Sequence, residues 1–479
     1  MNKATSFYKN NKLNIIILSI VILICLGIGL FVADIGILLP AAIIGISCLI
    51  AAQIAFLQNP RLIIWTMVVF CFTFGIMGRE IGGFPFGILQ EGILLLGWLT
   101  LMFTYDKYDW SQINNDLVIL LLIWFIFCVL EIANPAGASI LGWLQEIRAA
   151  ALYPLLIVPM AFLLVKNNKD LNTFLYLILT LSLLASLNGL KQLYIGPSPG
   201  EQRFLDEGGA VTHILWGRLR VFSFYSDAGQ FGASQAHIGL VAFILCLGPF
   251  KFWKKAILFI LAMIMIYGML ISGTRGALFA LVIGGFLAIL LSKKFKVIII
   301  GGLIAMSLLF VLKYTTIGNN NYQIFRLRSA LDPKEASFNV RLNSQRILRE
   351  YLGSRPFGGG LGVIGVWGET YNRDKFLSTI QPDSYWVKLW AMCGIIGFML
   401  WFCIMLYILG KCCGIIWNIK DEKLKIKAVA LTAGFAGILF CSYGNEVINT
   451  APSSFVVYIS WVFVFIIPSL EKELERKKN

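Results

Sequence analysis

A single arginine, Arg275, is the only charged residue in the long apolar stretch from Ala256 to Leu291. A continuous helix of these 36 residues would be about 54 Å long, whereas the hydrocarbon core of a bilayer is about 30 Å thick. The stretch therefore predicts two spanning helices, with residues 272–276 (SGTRG) as the turn between them. At that turn the planar guanidinium could bind a phosphate group through two hydrogen bonds. Simple extension of the side chain to the aqueous surface is the alternative.

More arginines follow in the segment 314–382, which the apolar pattern predicts to be one long outward-facing loop. They are Arg326, Arg328, Arg341, Arg346, Arg349, Arg355 and Arg373. Residues 338–352 predict an amphipathic helix whose apolar stripe consists of Ile347, Leu348, Tyr351 and Leu352. Arg346 and Arg349 lie three positions apart on its polar side. Such a helix could offer arginines to a lipid head group, or expose a charged face to water.

Two carboxylates are candidates for a general base that accepts the proton of a hydroxyl group. Asp383 directly precedes a predicted spanning helix, where the helix dipole favours the ionised carboxylate; a role as helix cap alone is the alternative. Glu446 lies beside Asn445 in the segment 442–454, between the last two predicted spans.

A further polar cluster lies at the mouth of the span that begins near residue 228. The stretch "RLRVFSFYSDAGQFGASQ", residues 218–235, contributes Arg218, Arg220, Asp227 and Gln230. Ion pairs and helix caps would explain this cluster, but charges at membrane depth are costly and often functional. Glu91, Glu131 and Lys388 raise the same question.

The composition that surrounds these residues is that of a membrane protein, with 58% hydrophobic and 14% charged residues among 479. Apolar runs long enough to span a bilayer predict an all-α polytopic membrane protein with about 14 transmembrane helices, 12 to 14 in all, in one transmembrane domain over residues 13–470. The runs begin near residues 13, 35, 61, 86, 116, 150, 171, 228, 256, 276, 297, 383, 428 and 452. The first run resembles a signal peptide, but its length favours a retained span.

The distribution of basic residues predicts the orientation in the membrane. With both termini in the cytoplasm, alternation through the spans places 20 Lys and 2 Arg inside and 5 Lys and 13 Arg outside, which accounts for all 40 basic residues. This satisfies the positive-inside rule and explains much of the net charge of +15 without nucleic-acid binding. The arginines therefore concentrate on the outer face.

Several classes of site are disfavoured. The ten cysteines have no CxxC spacing, and two histidines are too few for a zinc or di-iron centre, so we expect no metal. The sequence "GLGVIG" matches a dinucleotide fingerprint at Gly360, Gly362 and Gly365. A βαβ unit is not predicted around it, so a glycine-rich turn is the better interpretation and we expect no nucleotide cofactor.

Three segments in order, "SGTRGALFALVIGG", "RPFGGGLG" in the long loop and "QPDSYWVKLWAMCGIIG", resemble the O-antigen ligase and Wzy-type polysaccharide polymerase superfamily. "RVFSFYSDAGQFGA" resembles its upstream segment, which contains Arg220 here. The resemblance implies a GT-C-like membrane glycosyltransferase with an outward-facing active site and a glycan on undecaprenyl-type pyrophosphate as donor. It also implies chemistry without metal or nucleotide.

The resemblance further implies site residues. Arg275 matches the arginine of the S-x-R-G segment, and Arg341, Arg346 and Arg349 occupy the loop region where a second pyrophosphate-binding arginine is expected. Ligases of lipopolysaccharide have Pro-His-Asn where this chain has Pro382, Asp383 and Ser384. Either Asp383 replaces that histidine or the base lies elsewhere, with Glu446 as the second candidate.

The expected function is polymerisation of a bacterial surface polysaccharide at the cytoplasmic membrane. Ligation of the glycan to another acceptor and transport by a lipid-linked oligosaccharide flippase are the alternatives; a transporter would be expected to have two related halves. A scaffold protein would not depend on any one outer arginine. Expected partners are the lipid-linked donor, a glycan acceptor, membrane lipids, and a chain-length regulator or flippase.

Overall fold

The structure, a computed structural model, describes residues 38–82, 86–293, 336–382 and 384–478, with isolated positions between 299 and 328. These residues are mostly helical. The first helices before the long loop are α1 (Leu38–Gln58), α2 (Arg61–Ile81), α3 (Phe86–Phe103), α4 (Asp116–Leu130), α5 (Ile140–Leu164) and α6 (Asn168–Tyr194). They are followed by short α7 (Pro199–Phe204) and α8 (Ala210–His213), and then by α9 (Ala228–Cys246), α10 (Phe252–Ile271) and α11 (Gly276–Leu291).

The remaining helices lie in the long loop and after it. The loop contains α12 (Ala336–Leu352) and α13 (Val366–Tyr371), and the last three helices are α14 (Tyr385–Asn418), α15 (Glu422–Cys441) and α16 (Ser453–Lys478). Short 3-10 turns occur at Tyr105–Lys107, Trp110–Ile113, Glu131–Ala133 and Phe376–Thr379. Within the described residues, the only sheet is a hairpin of β1 (Ile214–Leu215) and β2 (Arg218–Leu219).

Ten described helices are long and apolar enough to cross a membrane. This confirms an all-α polytopic membrane protein, because a helix satisfies its backbone hydrogen bonds internally and so tolerates the absence of water. Two further predicted spans, near 35 and 276, correspond to shorter apolar helices. The run near 13 lies outside the described residues and the run near 297 is only partly described, so the total of about 14 stays a prediction.

Two helix boundaries differ from the prediction. The span expected from residue 150 begins at Ile140, because α5 continues through a π-helical turn at Arg148–Leu152. Glu146 therefore lies inside a span. The helix expected from residue 383 begins at Tyr385 with Ser384 as its N-cap, and Pro382 precedes it. Gly394 interrupts this 34-residue helix with a left-handed φ of 62°, so its first turns form a separate short segment.

Aromatic residues fill the bundle interior. The rings of Trp124 and Trp401 stack at 4.7 Å between centroids, and those of Phe174 and Phe463 at 5.3 Å. Helices α9 and α15 are almost entirely buried, with Phe231 and Phe435 fully inside. These central helices therefore provide the rigid frame for the segments at their ends.

The bundle has two chemically distinct ends. One, the lysine end, consists of residues 61, 103–116, 165–172, 247–252, 293 and 411–427. It is joined by contacts between residues far apart in the chain: Arg61 with Asp170, Lys411 with Asp116, and Lys427 with Asn168 and Asn172.

The other, the arginine end, consists of residues 79–82, 205–227, 272–275, 341–382 and 442–452. Its segments also contact one another: Arg79 with Ser223 and Tyr225, Arg220 with Ser272, and Arg341 with Gly444. The segments predicted to face outward therefore assemble at one end of the bundle.

Candidate active site

The turn between α10 and α11 packs against the start of α9 and is hydrogen-bonded to it. Gly273 adopts a left-handed φ of 59°, which glycine accepts without strain. The Ser272 hydroxyl accepts a hydrogen bond from the Thr274 amide at 3.1 Å, and the Thr274 hydroxyl donates to the Ala228 carbonyl at 2.8 Å. Arg275 follows at the N-cap position of α11 and is half-buried. The predicted hairpin turn is confirmed, with Arg275 at the arginine end.

Two more arginines converge on this turn. Arg220 Nε donates to the Ser272 carbonyl at 3.3 Å, and Arg326 Nε donates to the Gly273 carbonyl at 3.1 Å. Arg326 is 6% exposed and its guanidinium lies 5.5 Å from the centroid of the Trp216 ring. Arg220, Arg275 and Arg326 thus surround one backbone turn, which concentrates positive charge at the rim of the bundle.

A polar cavity of about 220 Å³ lies next to the turn. Its lining residues are Asp227, Gln230, Arg341, Pro382, Gly444, Asn445, Glu446 and Val447. Asn445 links cavity and turn, because a Cβ on Gly276 would lie 2.5 Å from the Asn445 Nδ2. Residues from α9, α12, the segment before α14 and the last loop therefore meet in one place.

Glu446 lines this cavity and contacts several polar groups. Its Oε2 lies 3.1 Å from Lys388 Nζ, and its backbone carbonyl accepts hydrogen bonds from the Gln230 side chain and from the Thr450 hydroxyl. Burial raises the pKa of Glu446, the Lys388 charge opposes this, and the Glu146 charge adds to it. A carboxyl group with a raised pKa is a stronger base, as a proton acceptor requires.

Lys388 also contacts a second carboxylate, because its Nζ lies 3.1 Å from Glu146 Oε1. Lys388 lies on the first turn of α14 and Glu146 on α5. The sequence marked Lys388 as a buried charge but gave no sign of Glu146 as its partner.

The structure places the three predicted pyrophosphate-binding arginines of α12 in different environments. Arg341 lines the cavity, whereas Arg346 and Arg349 are exposed on other sides of α12. Leu348 and Leu352 are buried as the predicted stripe requires, but Ile347 is 39% exposed. The binding roles of Arg346 and Arg349 stay predictions.

The predicted base Asp383 lies outside the described residues, but its neighbours are placed. Pro382 lines the cavity. The Ser384 hydroxyl accepts from the Val387 amide, so Ser384 provides the helix cap, and the Tyr385 amide donates to the Ser442 carbonyl at 3.0 Å. Ser384 and Tyr385 are therefore anchored beside the loop that carries Glu446.

The described part of the chain contains no group of three or more His, Cys, Asp or Glu side chains that could hold a metal ion. The expectation that the protein uses no metal stays a prediction. Gly360, Gly362 and Gly365 all have positive φ angles in a turn that packs on α5, where a Cβ on Gly362 would lie 2.2 Å from the Gly142 carbonyl. This glycine segment is a closely packed turn, as the surrounding sequence indicated.

Comparison with known proteins identifies the central part of the chain. Residues 260–402 match the O-Antigen ligase family, which confirms the resemblance found in the sequence. The matched range contains Arg275, Arg341 and Lys388, whereas Arg220 and Glu446 lie outside it. None of the curated proteins searched matches the chain.

Proposed function

We propose that this membrane protein, whose residues 260–402 match the O-Antigen ligase family, is a surface-polysaccharide polymerase. It would join oligosaccharide repeats linked to undecaprenyl-type pyrophosphate on the outer face of the cytoplasmic membrane. The observation that carries the proposal is the position of Arg220, Arg275 and Arg326 around the 272–275 turn. This turn lies next to the cavity that Glu446 lines.

The arginines suit a pyrophosphate leaving group. A sugar hydroxyl attacks the anomeric carbon of the lipid-linked glycan, the new glycosidic bond forms with inversion, and the bond between that carbon and the pyrophosphate oxygen breaks. The electron pair leaves with the pyrophosphate, whose charge increases. Preorganised guanidinium groups of Arg275, Arg220 and Arg341 stabilise this charge and need no cofactor.

The acceptor hydroxyl loses its proton to a carboxylate. Asp383 and Glu446 are the two candidates from the sequence. Glu446 lines the cavity, and its raised pKa makes its carboxylate a stronger base than an ordinary glutamate. We therefore assign the proton to Glu446, and Asp383 stays the second candidate.

Polymerisation is favoured over ligation because the Pro-His-Asn segment of lipopolysaccharide ligases is replaced by Pro382, Asp383 and Ser384. A flippase is the alternative of another class. Its transport would not require the carboxylate base, whereas glycosyl transfer would. Glu446→Gln therefore distinguishes the two classes, since this variant removes the base and keeps the size of the side chain.

The length distribution of surface glycans tests the proposal. Cells that lack the protein are complemented with the wild type or with Arg275→Ala, and their glycans are separated by gel electrophoresis. A polymerase predicts that long chains are lost while a single repeat stays attached to its acceptor. Loss of the whole attached polymer would instead indicate a ligase, and an unchanged pattern would contradict both. A chain-length regulator or flippase would be the expected protein partner.

A further inference from the structure

Lys388 is a buried lysine that bridges two carboxylates from separate parts of the fold. Its Nζ lies 3.1 Å from Glu146 Oε1 and 3.1 Å from Glu446 Oε2. The side chains of Lys388 and Glu146 are 10% and 3% exposed, and that of Glu446 is 27% exposed. Of the three, Glu446 is therefore the one with access to the cavity.

Such an arrangement is costly unless the charges are held together. Removing charged groups from water carries a large desolvation penalty for each ion. Here one ammonium group serves two carboxylates, so the cluster keeps an excess of one negative charge when both are ionised. Lys411 lies near the other end of the same helix. Unlike Lys388, it forms a half-exposed pair with one carboxylate, that of Asp116, at 2.7 Å.

The cluster of Lys388, Glu146 and Glu446 lies beside the cavity as well as in the bundle interior. Glu446 and Arg341 line the same cavity, and Lys388 lies one helical turn after Ser384. The Lys388 amide donates to the Ser384 carbonyl at 2.9 Å. The lysine is therefore fixed at the start of α14, where Ser384 and Tyr385 contact the 442–452 loop.

We propose that Lys388 is a positioning residue for glycosyl transfer: it holds the Glu446 carboxylate ionised and directed into the cavity, and Glu146 moderates its effect. This inference rests on the proposed function. Lys388 itself does not touch the reacting atoms, because its ammonium group lies between the two carboxylates.

The charges around Glu446 fix the direction of each expected effect. Lys388 faces it from α14, Glu146 from α5, Asp227 from the N-cap of α9, and Arg341 from α12. Neutralising Lys388 removes the nearest positive charge, so Glu446 would keep its proton up to a higher pH. Neutralising Glu146 leaves Lys388 to Glu446 alone, so Glu446 would lose its proton at a lower pH.

The experiment measures glycosyl transfer as a function of pH by the purified full-length protein in lipid nanodiscs. The probe is the lipid-linked oligosaccharide fraction extracted from cells that lack the protein. Lys388→Met is expected to move the acidic limb of the rate profile upwards by about one pH unit, so that the rate on that limb falls about tenfold, the factor that corresponds to one pKa unit. Glu146→Gln is expected to move the same limb downwards.

Two further variants keep the test independent of folding. Lys388→Met leaves the carboxylates of Glu146 and Glu446 without a counter-charge, so it is paired with the double variant Lys388→Met/Glu146→Gln. The double variant removes the repulsion between the two carboxylates. Its acidic limb should lie between the limbs of the two single variants. Lys411→Met on the same helix is the matched control, with an unchanged profile. Each variant is checked for monodispersity and thermal unfolding.

The outcomes of this experiment distinguish a failure of this inference from a failure of the proposed function. If the wild type makes no product from the extracted lipid, both are overturned. If the wild type is active but the limb stays fixed in Glu146→Gln, or moves in the same direction in Lys388→Met and Glu146→Gln, only the role of Lys388 is overturned.

Discussion

Arg341 Nη2 donates a hydrogen bond to the carbonyl oxygen of Gly444 over 3.1 Å. This contact joins α12 in the long loop to the loop that carries Glu446. Both residues line the polar cavity. The side of α12 that contains Arg341 and the buried Leu348 therefore faces the candidate site, whereas Arg346 and Arg349 are exposed.

This geometry predicts unequal effects of arginine substitutions on one helix. Arg341→Ala removes a charged hydrogen-bond donor at the cavity, so glycan transfer should fall about tenfold to a hundredfold, as expected for a charged hydrogen bond of about 1.5 to 3 kcal/mol. Arg346→Ala and Arg349→Ala, with equal loss of charge, should change the rate by no more than about threefold. Transfer assays on the three variants at matched protein levels check this. Equal losses in all three would mean that the net charge of α12 matters, and not the contact with Gly444.

Arg275 provides the second prediction, because it lies at the turn where three guanidinium groups converge. Arg275→Lys keeps the charge but replaces the planar fork by a point charge. Transfer should fall about tenfold or more, since positioned donors at a developing negative charge contribute strongly to rate. The measurement is product formation at normal protein level in membranes.

The matched control for this variant is Arg61→Lys. Arg61 lies at the lysine end and pairs with Asp170 at 3.5 Å, so this conservative change should leave transfer unaffected. Near-normal product formation by Arg275→Lys would contradict a bidentate role for the guanidinium.

The fold could be predicted from the sequence because its determinants are local. Runs of apolar residues long enough to cross a bilayer are visible without any knowledge of contacts. The turn at Arg275 followed from length alone, since one helix from Ala256 to Leu291 would be too long. The start of α5 could not be placed, because Glu146 and Arg148 interrupt the apolar pattern and the helix passes through them with a π-helical turn.

The candidate site was only partly predictable because it is built from distant segments. Individual charged residues such as Lys388 and Glu446 could be recognised as unusual, but their pairing depends on how α5, α14 and the last loop pack. One sequence contains no signal for such a contact. The selection of Arg341 over Arg346 likewise depends on which side of α12 packs against the rest of the protein.

His213, in α8 at the arginine end, predicts a pH dependence of stability. Its Nδ1 donates to the Gly209 carbonyl at 2.9 Å, and its Nε2 accepts from the Ala228 amide at 3.3 Å. Burial lowers the pKa of His213, so folding favours the neutral ring. Its contribution is therefore fully present above the unfolded pKa of about 6.5 and is lost as the pH falls through the lower folded value.

Thermal unfolding of the purified protein at about pH 7.5 and about pH 5 checks this effect on either side of the unfolded pKa. Protonation of Nε2 breaks the bond to Ala228, so the wild type should lose about 1 kcal/mol at the lower pH. His213→Gln, which does not titrate, should be less stable at the higher pH but should show a smaller difference between the two. An identical difference in both proteins would exclude His213 as the titrating group.

The orientation of the two ends in the membrane is the last prediction. The lysine end carries Lys420, Lys423, Lys425 and Lys427, and an excess of lysine is typical of the cytoplasmic side. Cysteines are therefore introduced singly at two exposed positions, Arg346→Cys at the arginine end and Lys423→Cys at the lysine end. A membrane-impermeant maleimide applied to intact cells should label the first, and should label the second only after permeabilisation. The wild type, with its native cysteines, gives the background. Labelling of Lys423→Cys alone in intact cells would place the cavity on the cytoplasmic side, where it could not meet a glycan donor presented on the outer face.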